Sequence, residues 1–166
     1  MKNQSFIGLG SNLGNRQANC RAALDRLGCL AGTVLQRVST VVESEPQEGV
    51  EGGPFLNAVA EIATSLSPRQ LLGQLRVIEV ALGRAPDHLP GTARTMDLDL
   101  LLYGDAVIRE ADLTIPHPRM TERWFVLAPL VTLDPELRHP VLQVTMVSLL
   151  QRLDPEAPRV SPGRMR

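Results

Sequence analysis

Two aspartates stand two residues apart in an otherwise apolar segment, residues 94–104 (RTMDLDLLLYG). In an extended strand, residues two apart point to the same face, with their Cα atoms roughly 6.5–7 Å apart. The carboxylates of Asp97 and Asp99 are therefore expected to converge, and carboxylate oxygens are good ligands for Mg²⁺. A pair of such ions is a common arrangement for holding a phosphoryl group during its transfer.

Basic residues stand close to this pair. Arg94 precedes it, and the later segment TIPHPRMTERWF supplies His117, Arg119 and Arg123. Acidic residues for a metal beside basic residues for phosphate favour a nucleoside triphosphate site. The chain contains neither a Walker A sequence nor GxGxxG, so a P-loop or Rossmann enzyme is not indicated. A solvated sheet face is the alternative interpretation of the two aspartates, but their strongly apolar neighbours disfavour it.

The alternation of the segment predicts two faces for this strand. One is expected to carry Met96, Leu98, Leu100 and Leu102, and the other Thr95, Asp97, Asp99, Leu101 and Tyr103. A second alternating segment, FLNAVAEIATSL, places Phe55, Asn57, Val59 and Glu61 on one face.

Composition indicates an ordinary globular chain. It has 166 residues, 43% of them hydrophobic and 21% charged, with a formal net charge of −1. We expect one domain over residues 1–166, with a frayed tail from about residue 154. The charge disfavours nucleic acid as a partner. No apolar stretch is long enough for a bilayer or a signal peptide, so we expect a cytoplasmic protein, a monomer with no membrane partner.

The two cysteines agree with that expectation. Cys20 and Cys29 lie nine residues apart in or near one predicted helix, which separates them by roughly 13 Å along its axis. A disulfide requires a much closer approach. Free thiols are typical of the cytoplasm.

The order of predicted elements is β-α-β-β-α-β, followed by a hairpin and helices. Ser11, Asn12 and Asn15 are candidate N-caps of the first helix, where we expect a structural role. Ser67 and the following proline start the second helix, in which Glu79 is expected to be an ordinary helix residue. This order predicts an α+β fold with a ferredoxin-like core, a mainly antiparallel sheet with helices packed on its faces.

Five motifs occur in order: GLGSNLGNR, ESEP, FLNAV, RTMDLDLLLYGD and TIPHPRMTERWFVLAPL. Together they resemble the 6-hydroxymethyl-7,8-dihydropterin pyrophosphokinases of folate biosynthesis, over about residues 5–150. The resemblance implies transfer of the β,γ-pyrophosphoryl group of ATP to the hydroxymethyl oxygen of the pterin, with release of AMP. ATP is then a co-substrate, and two Mg²⁺ ions are the implied cofactors.

The resemblance also implies roles for individual residues. Asp97 and Asp99 would hold the two Mg²⁺ ions, and Arg94 and Arg84 would join them in catalysis. The implied pterin-binding residues are Ser44, Glu45, Pro46, Gln47, Phe55, Asn57 and Phe125. The implied ATP-binding residues are Arg94, Leu100, Thr114, His117 and Arg123.

The loop before the acidic strand departs from the family pattern. Some members carry several arginines and a tryptophan there, which close over the bound substrates. Here the loop is RAPDHLPGTA, with Arg84 at its start and only His88 further in. Either Arg94, Arg119 and Arg123 neutralise the phosphates, or the loop closes by shape and backbone contacts.

Two other functions are open on the residues alone. One is a non-catalytic ferredoxin-like module that binds a small ligand, which would not need a divalent-metal clamp. The other is a different Mg²⁺-dependent phosphoryl or nucleotidyl transferase on the same core. Phe55, Phe125 and Asn57 favour a flat heterocycle as the acceptor, because aromatic faces stack on it and an amide pairs with its edge.

Overall fold

The computed structural model describes residues 1–84 and 89–153. The first elements in chain order are β1 (Asn3–Ser11), α1 (Arg16–Gly28), β2 (Thr33–Val38), β3 (Val42–Ser44), β4 (Phe55–Thr64), α2 (Pro68–Ala81) and β5 (Asp97–Tyr103). The five strands form an antiparallel sheet that carries the site, in the order β2-β4-β1-β5 with β3 beside β4. There follow β6 (Ile108–Arg109), β7 (Thr114–Ile115), a 3-10 helix (Met120–Glu122), α3 (Trp124–Leu133) and α4 (Met146–Leu153). The predicted order of strands and helices is observed, except that one predicted strand is divided into β2 and β3.

Helices cover both faces of the sheet. On one face, α1 and α2 bury their apolar stripes against β1, β4 and β5 in a cluster that includes Leu27, Leu75 and Ile62. On the other face, α3 and α4 pack around Phe6, with Leu127 fully buried. Burial of this apolar area is the main stabilising term for such a three-layer arrangement.

Side-chain caps fix where the first two helices begin. Asn15 caps α1 by accepting a hydrogen bond from the backbone N–H of Ala18 at 3.0 Å. Ser67 and Gln70 form a reciprocal capping box at the start of α2, as expected of a Ser-Pro start. The helix α3 begins at Trp124 and has no side-chain cap.

The acidic strand β5 contains a bulge that changes its faces. Phe6 pairs with Leu102 but Ile7 pairs with Leu100, so Leu101 is an extra residue on β5. Leu101 and Leu102 both pack in the α3 and α4 cluster, whereas Tyr103 joins the α1 and α2 cluster. The predicted alternation is therefore wrong for the last two residues of the strand, because a bulge reverses the pleat. It is right at the two aspartates.

The predicted long strand over residues 33–44 is split into β2 and β3. Both pair with β4, β2 beside its second half and β3 beside its first. Between them, the backbone N–H of Ser39 donates to the carbonyl of Val59, and the Ser39 hydroxyl accepts from the N–H of Val59. A side-chain oxygen thus replaces a strand carbonyl at this point.

Residues 85–88 and 154–166, which include His88 and the expected frayed tail, lie outside the described residues. Within the described ranges, no helix has the length and apolar character needed to cross a membrane. Cys20 is buried, Cys29 is exposed, and both are free thiols. Burial raises the pKa of Cys20 to about 11.

Candidate active site

Two glycines of β1 form the floor of a cavity of about 170 Å³. Gly10 pairs with Asn57 on one side and Asp97 on the other, and Gly8 pairs with Asp99. A Cβ at Gly10 would lie 3.5 Å from Asn57 Oδ1 and 3.6 Å from Phe55 Cδ1. The missing side chains leave the depression open between the flanking strands. Sequence reasoning did not identify these glycines, although alternate glycines within an apolar strand signal a close approach.

Most of the predicted site residues line this one cavity. They are Ser44, Glu45, Gln47, Phe55, Asn57, Arg94, Asp97, Asp99, Arg123 and Phe125. Arg119 lines it as well.

Three other predicted residues, Leu100, Thr114 and His117, line a neighbouring cavity instead. Asp99 lines both cavities, so the carboxylate pair stands at their boundary. Pro46 and Arg84 line neither cavity. Arg84 nevertheless reaches the carboxylate of Asp97, at 3.5 Å.

Two aromatic residues line the first cavity from β4 and α3. Phe55 begins β4, and Phe125 lies in the first turn of α3. The rings of Phe125 and Trp124 meet edge to face at 6.2 Å. The guanidinium of Arg123 lies 5.8 Å from the centre of the Phe125 ring, within the range of a cation–π contact.

The side chain of Asn57 has a fixed orientation. Asn57 is buried, and its Nδ2 donates to Ser44 Oγ at 2.8 Å and toward the carbonyl of Val42 at 3.4 Å. This leaves Oδ1 on the side of Gly10, at the cavity floor. The amide can therefore offer an acceptor to the edge of a bound heterocycle, while Ser44 and its neighbours present backbone groups.

The two aspartates have different surroundings. Asp97 Oδ2 accepts from Arg94 Nη1 at 2.6 Å, and its side chain is 16% exposed. Asp99 is 44% exposed, with Arg123 Nη1 at 3.9 Å and His117 Nε2 at 4.0 Å. Burial raises the pKa of Asp97, against the opposing hydrogen bond from Arg94. A cation between the two carboxylates would offset both this burial and their mutual repulsion.

Arg123 and His117 present donors to the same region. Arg123 Nε is buried and has no hydrogen-bond partner among the described groups. Burial lowers the pKa of Arg123, although a guanidinium stays charged. His117 Nδ1 accepts from the backbone N–H of Arg119 at 3.2 Å, and burial lowers the pKa of His117. A neutral imidazole accepting at Nδ1 carries its proton on Nε2, which lies 4.0 Å from Asp99 Oδ1, beyond hydrogen-bond distance.

Glu79 of α2 is a buried carboxylate beside the site, and sequence reasoning missed its contacts. It is 6% exposed. Its Oε1 accepts from the backbone N–H of Leu98 at 2.8 Å, and its Oε2 accepts from Arg84 Nη1 at 2.6 Å. Burial raises the pKa of Glu79, opposed by the hydrogen bond from Leu98. The expectation of an ordinary helix residue is wrong, and its spacing from Leu71 and Leu75 on the apolar stripe was the available signal.

The carboxylate pair fits Mg²⁺ better than a metal held wholly by protein. Among residues 1–84 and 89–153, no three His, Cys, Asp or Glu side chains are grouped as a metal site. Mg²⁺ is typically bound by one or two carboxylates together with water and substrate phosphate oxygens. Asp97 and Asp99 can supply those carboxylates.

Comparison with known proteins decides the family. Residues 6–135 match the family described as 7,8-dihydro-6-hydroxymethylpterin-pyrophosphokinase (HPPK). The chain belongs to the HPPK family. A Bacillus subtilis relative, a 2-amino-4-hydroxy-6-hydroxymethyldihydropteridine pyrophosphokinase, is 43% identical over 130 residues, 78% of this chain and 77% of its own length. A Haemophilus influenzae relative of the same name is 37% identical over 95% of this chain and 98% of its own length.

Some HPPK relatives are much longer. The folic acid synthesis protein fol1 of Pneumocystis carinii is 39% identical over 89% of this chain, which spans only 20% of that protein. Among solved structures, a Plasmodium falciparum HPPK-DHPS triple mutant has a TM-score of 0.75 at 17% identity. It covers 92% of this chain, which spans 44% of that structure, and the likeness concerns the fold alone.

These findings confirm three predictions made from the sequence. The family is the one that the five motifs resemble, and the enzyme class is an ATP-dependent pterin pyrophosphokinase of folate biosynthesis. The α+β fold with a ferredoxin-like antiparallel sheet is also confirmed. The roles of the individual site residues remain predictions.

Proposed function

We propose that this chain transfers the β,γ-pyrophosphoryl group of ATP to the hydroxymethyl oxygen of 6-hydroxymethyl-7,8-dihydropterin and releases AMP. The observation that carries the proposal is the position of Asp99, which lines both an aromatic cavity and its neighbour. A flat acceptor in the first cavity and a nucleotide in the second would bring the triphosphate past the carboxylate pair. Both reactants would then be held in one geometry, which is the main source of rate in phosphoryl transfer.

The pterin would occupy the cavity between Phe55 and Phe125. Its two faces would stack on the rings, a contact that suits a planar bicycle. Asn57 and the backbone of residues 44–47 would pair with its polar edge, because a buried edge group without a partner is costly. The hydroxymethyl group would then point along the floor toward Gly10 and the aspartates.

The nucleotide would occupy the neighbouring cavity, lined by Leu98, Leu100, Thr114 and His117. β5 is an edge strand, and the N–H of Leu98 on its outer side already donates to Glu79. N–H groups two residues apart point the same way in a strand. The N–H of Leu100 would then recognise the edge of the adenine ring.

The phosphates would meet guanidinium groups around the carboxylates. Arg94 and Arg84 lie beside Asp97, and Arg123 lies beside Asp99. The buried Nε of Arg123 gains a partner when an anion binds. His117 would donate a hydrogen bond from Nε2 to a phosphate oxygen in the same region. These donors would stabilise negative charge on the transferring group and on the departing AMP.

Two Mg²⁺ ions would bind at Asp97 and Asp99. They would neutralise phosphate charge and align the pyrophosphoryl group for in-line attack. Among the described residues, the charged groups in contact around the pair include Glu79, Asp97, Asp99, Arg84, Arg94 and Arg123. The carboxylates offset much of the positive charge of the guanidiniums, so divalent cations that enter with the triphosphate would supply the remaining neutralisation.

The test is the product formed from ATP, Mg²⁺ and the hydroxymethyl pterin. We expect AMP and a pyrophosphorylated pterin in equal amounts, separated by ion-exchange chromatography, with little AMP when the pterin is omitted. Release of ADP would identify an ordinary phosphoryl transferase. Binding of both ligands without any product would identify a binding module.

We further propose that the chain acts as a cytoplasmic monomer on these small molecules alone. The free thiols of Cys20 and Cys29 support a reducing compartment. The net charge of −1 supports the absence of a nucleic-acid partner. Sedimentation at assay concentrations tests the monomer, and a dimer would contradict it.

A further inference from the structure

Asn12 connects the strand β1 to the segment that leads into the acidic strand. It follows β1 directly and is 6% exposed. Its backbone N–H donates to the carbonyl of Arg94 at 3.1 Å, and its Oδ1 accepts from the N–H of Arg94 at 2.7 Å. Two hydrogen bonds therefore fix the backbone from which the Arg94 side chain reaches Asp97.

The amide nitrogen of the same side chain holds a second loop. Asn12 Nδ2 donates to the carbonyl of Glu51 at 2.8 Å and toward the carbonyl of Gly53 at 3.4 Å. These residues belong to the loop between β3 and β4, whose Gln47 and Val50 line the proposed pterin cavity. One buried amide thus contacts the backbone on both sides of the active site.

The two loops also touch each other, at glycines. The N–H of Glu51 donates to the carbonyl of Gly91 at 2.6 Å. A Cβ at Gly52, where φ is +99°, would lie 2.7 Å from Asn12 Nδ2 and 3.1 Å from Ala93. A Cβ at Gly91, where φ is +85°, would lie 2.7 Å from the carbonyl of Gly49. Both contacts require glycine, for its φ and for its size.

Helix capping does not explain Asn12. Asn15 performs that task for α1, since its side chain accepts from the N–H of Ala18. Asn12 is not among the residues that line either cavity of the proposed site. Among the described residues, its buried amide bonds to the two loops.

We propose that Asn12 is a positioning residue that couples the pterin loop, residues 47–54, to the phosphate-side segment, residues 89–94. It rests on the proposed function, because it assigns the two segments to the two substrates. Binding of a nucleotide at Arg94 and Asp97 holds residue 94, and through Asn12 this holds the carbonyls of Glu51 and Gly53. The conformational entropy lost when the first substrate orders both loops does not have to be lost again when the second substrate binds. The second substrate therefore binds more tightly, which is positive cooperativity.

The test is a binding cycle by calorimetry on the intact chain. The dissociation constant of 6-hydroxymethyl-7,8-dihydropterin is measured without and with a non-hydrolysable ATP analogue and Mg²⁺. The coupling factor is the constant without the analogue divided by the constant with it. We expect a factor well above one in the wild type. In Asn12→Ala it should fall roughly tenfold, as expected for the loss of the side-chain bonds to both loops.

Matched variants separate coupling from stability. Asn15→Ala removes the α1 cap in the same segment and should lower stability while keeping the wild-type coupling factor. Asn12→Asp keeps the acceptor for Arg94 but turns a carboxylate oxygen toward the carbonyls of Glu51 and Gly53, so it should lose coupling as Asn12→Ala does. Gly52→Ala disturbs the contact between Asn12 Nδ2 and the pterin loop by a change in the loop itself. It therefore provides the test if the Asn12 variants do not fold.

The possible results distinguish the coupling from the proposed function. A wild-type factor of one, or an unchanged factor in folded Asn12→Ala or Gly52→Ala, overturns the coupling. A wild type that binds neither ligand, or forms no AMP, contradicts the proposed function instead. Loss of the factor in Asn15→Ala as well would show that general destabilisation is the cause, and would also overturn the assignment to Asn12.

Discussion

Replacement of Glu79 by glutamine changes a buried carboxylate that holds both Arg84 and the backbone of β5. In the wild type, one oxygen accepts from Leu98 N–H at 2.8 Å and the other from Arg84 Nη1 at 2.6 Å. The glutamine oxygen can keep the first bond. Its NH₂ group then faces the guanidinium, donor against donor, so the bond to Arg84 is lost.

The expected loss of stability follows from these two contacts. A hydrogen bond to a charged group contributes about 1.5–3 kcal/mol. Arg84 is 28% exposed, so solvent screening reduces this contribution. Glu79→Gln also removes a buried charge, whose cost is shown by the raised pKa of Glu79, so we expect a net loss of about 1 kcal/mol. Glu79→Ala also leaves Leu98 N–H without its acceptor, which adds about 1–3 kcal/mol.

Equilibrium urea unfolding of the three proteins measures these differences, with equal m-values as the condition for comparing them. The double-mutant cycle with Arg84→Gln isolates the pair. A glutamine variant as stable as the wild type would refute the contribution of the ion pair. An alanine variant no less stable than the glutamine variant would refute the role of Glu79 in holding β5.

The same change should alter the metal requirement. Arg84 also lies 3.5 Å from Asp97. Released from Glu79, its guanidinium would pair more fully with Asp97 and compete with a cation there. We expect the Mg²⁺ concentration for half-maximal activity to rise several-fold in Glu79→Gln, with the KM for the pterin unchanged. Equal changes in both quantities would indicate general disorder of the site.

Three further predictions follow from the site. Asp97→Asn and Asp99→Asn should each lower turnover by orders of magnitude without loss of the fold, and near-normal turnover in both would contradict the metal assignment. Asp97→Asn should also raise the melting temperature of the metal-free protein, because burial raises the pKa of that carboxyl. Phe125→Ala should weaken pterin binding by about 1–3 kcal/mol but nucleotide binding far less, as calorimetry would show; equal losses would mean that the ring only supports the core. Arg123→Ala should raise the KM for ATP and lower turnover in steady-state kinetics. The control Arg138→Ala, which removes an exposed arginine bonded to a loop carbonyl, should change neither quantity. Equal defects in the two variants would contradict a role of Arg123 in phosphate binding.

The acidic strand shows what sequence periodicity can predict. The period of two placed Asp97 and Asp99 on one face correctly, because local pleat decides that relation. It failed after Leu101, where the pairing with β1 inserts a bulge. A bulge depends on the neighbouring strand, so the pattern of one segment does not contain it.

Residues that act through geometry were harder to predict than residues that carry chemistry. Asp, Arg and Phe at motif positions suggest their own roles. Gly8 and Gly10 contribute by having no side chain, which leaves the cavity open. Glu79 of α2 acts by accepting a hydrogen bond from the backbone N–H of Leu98 on β5. Asn12 matched a helix-cap pattern, and only the placement of two distant loops shows what its amide holds.

The positions of Arg84, Arg94 and Arg123 suggest what the loop over residues 85–93 contributes to the site. Between residues 85 and 93 the sequence has no Arg or Lys. Arg84 is held by Glu79 just after α2, Arg94 is anchored through Asn12, and Arg123 directly precedes α3. The positive charge of the site is therefore fixed to the sheet and its helices before any substrate arrives. Preorganised charge needs no rearrangement during the reaction. We therefore expect the loop to contribute by excluding water and not by its charge, which agrees with the two prolines and Gly91 in its sequence.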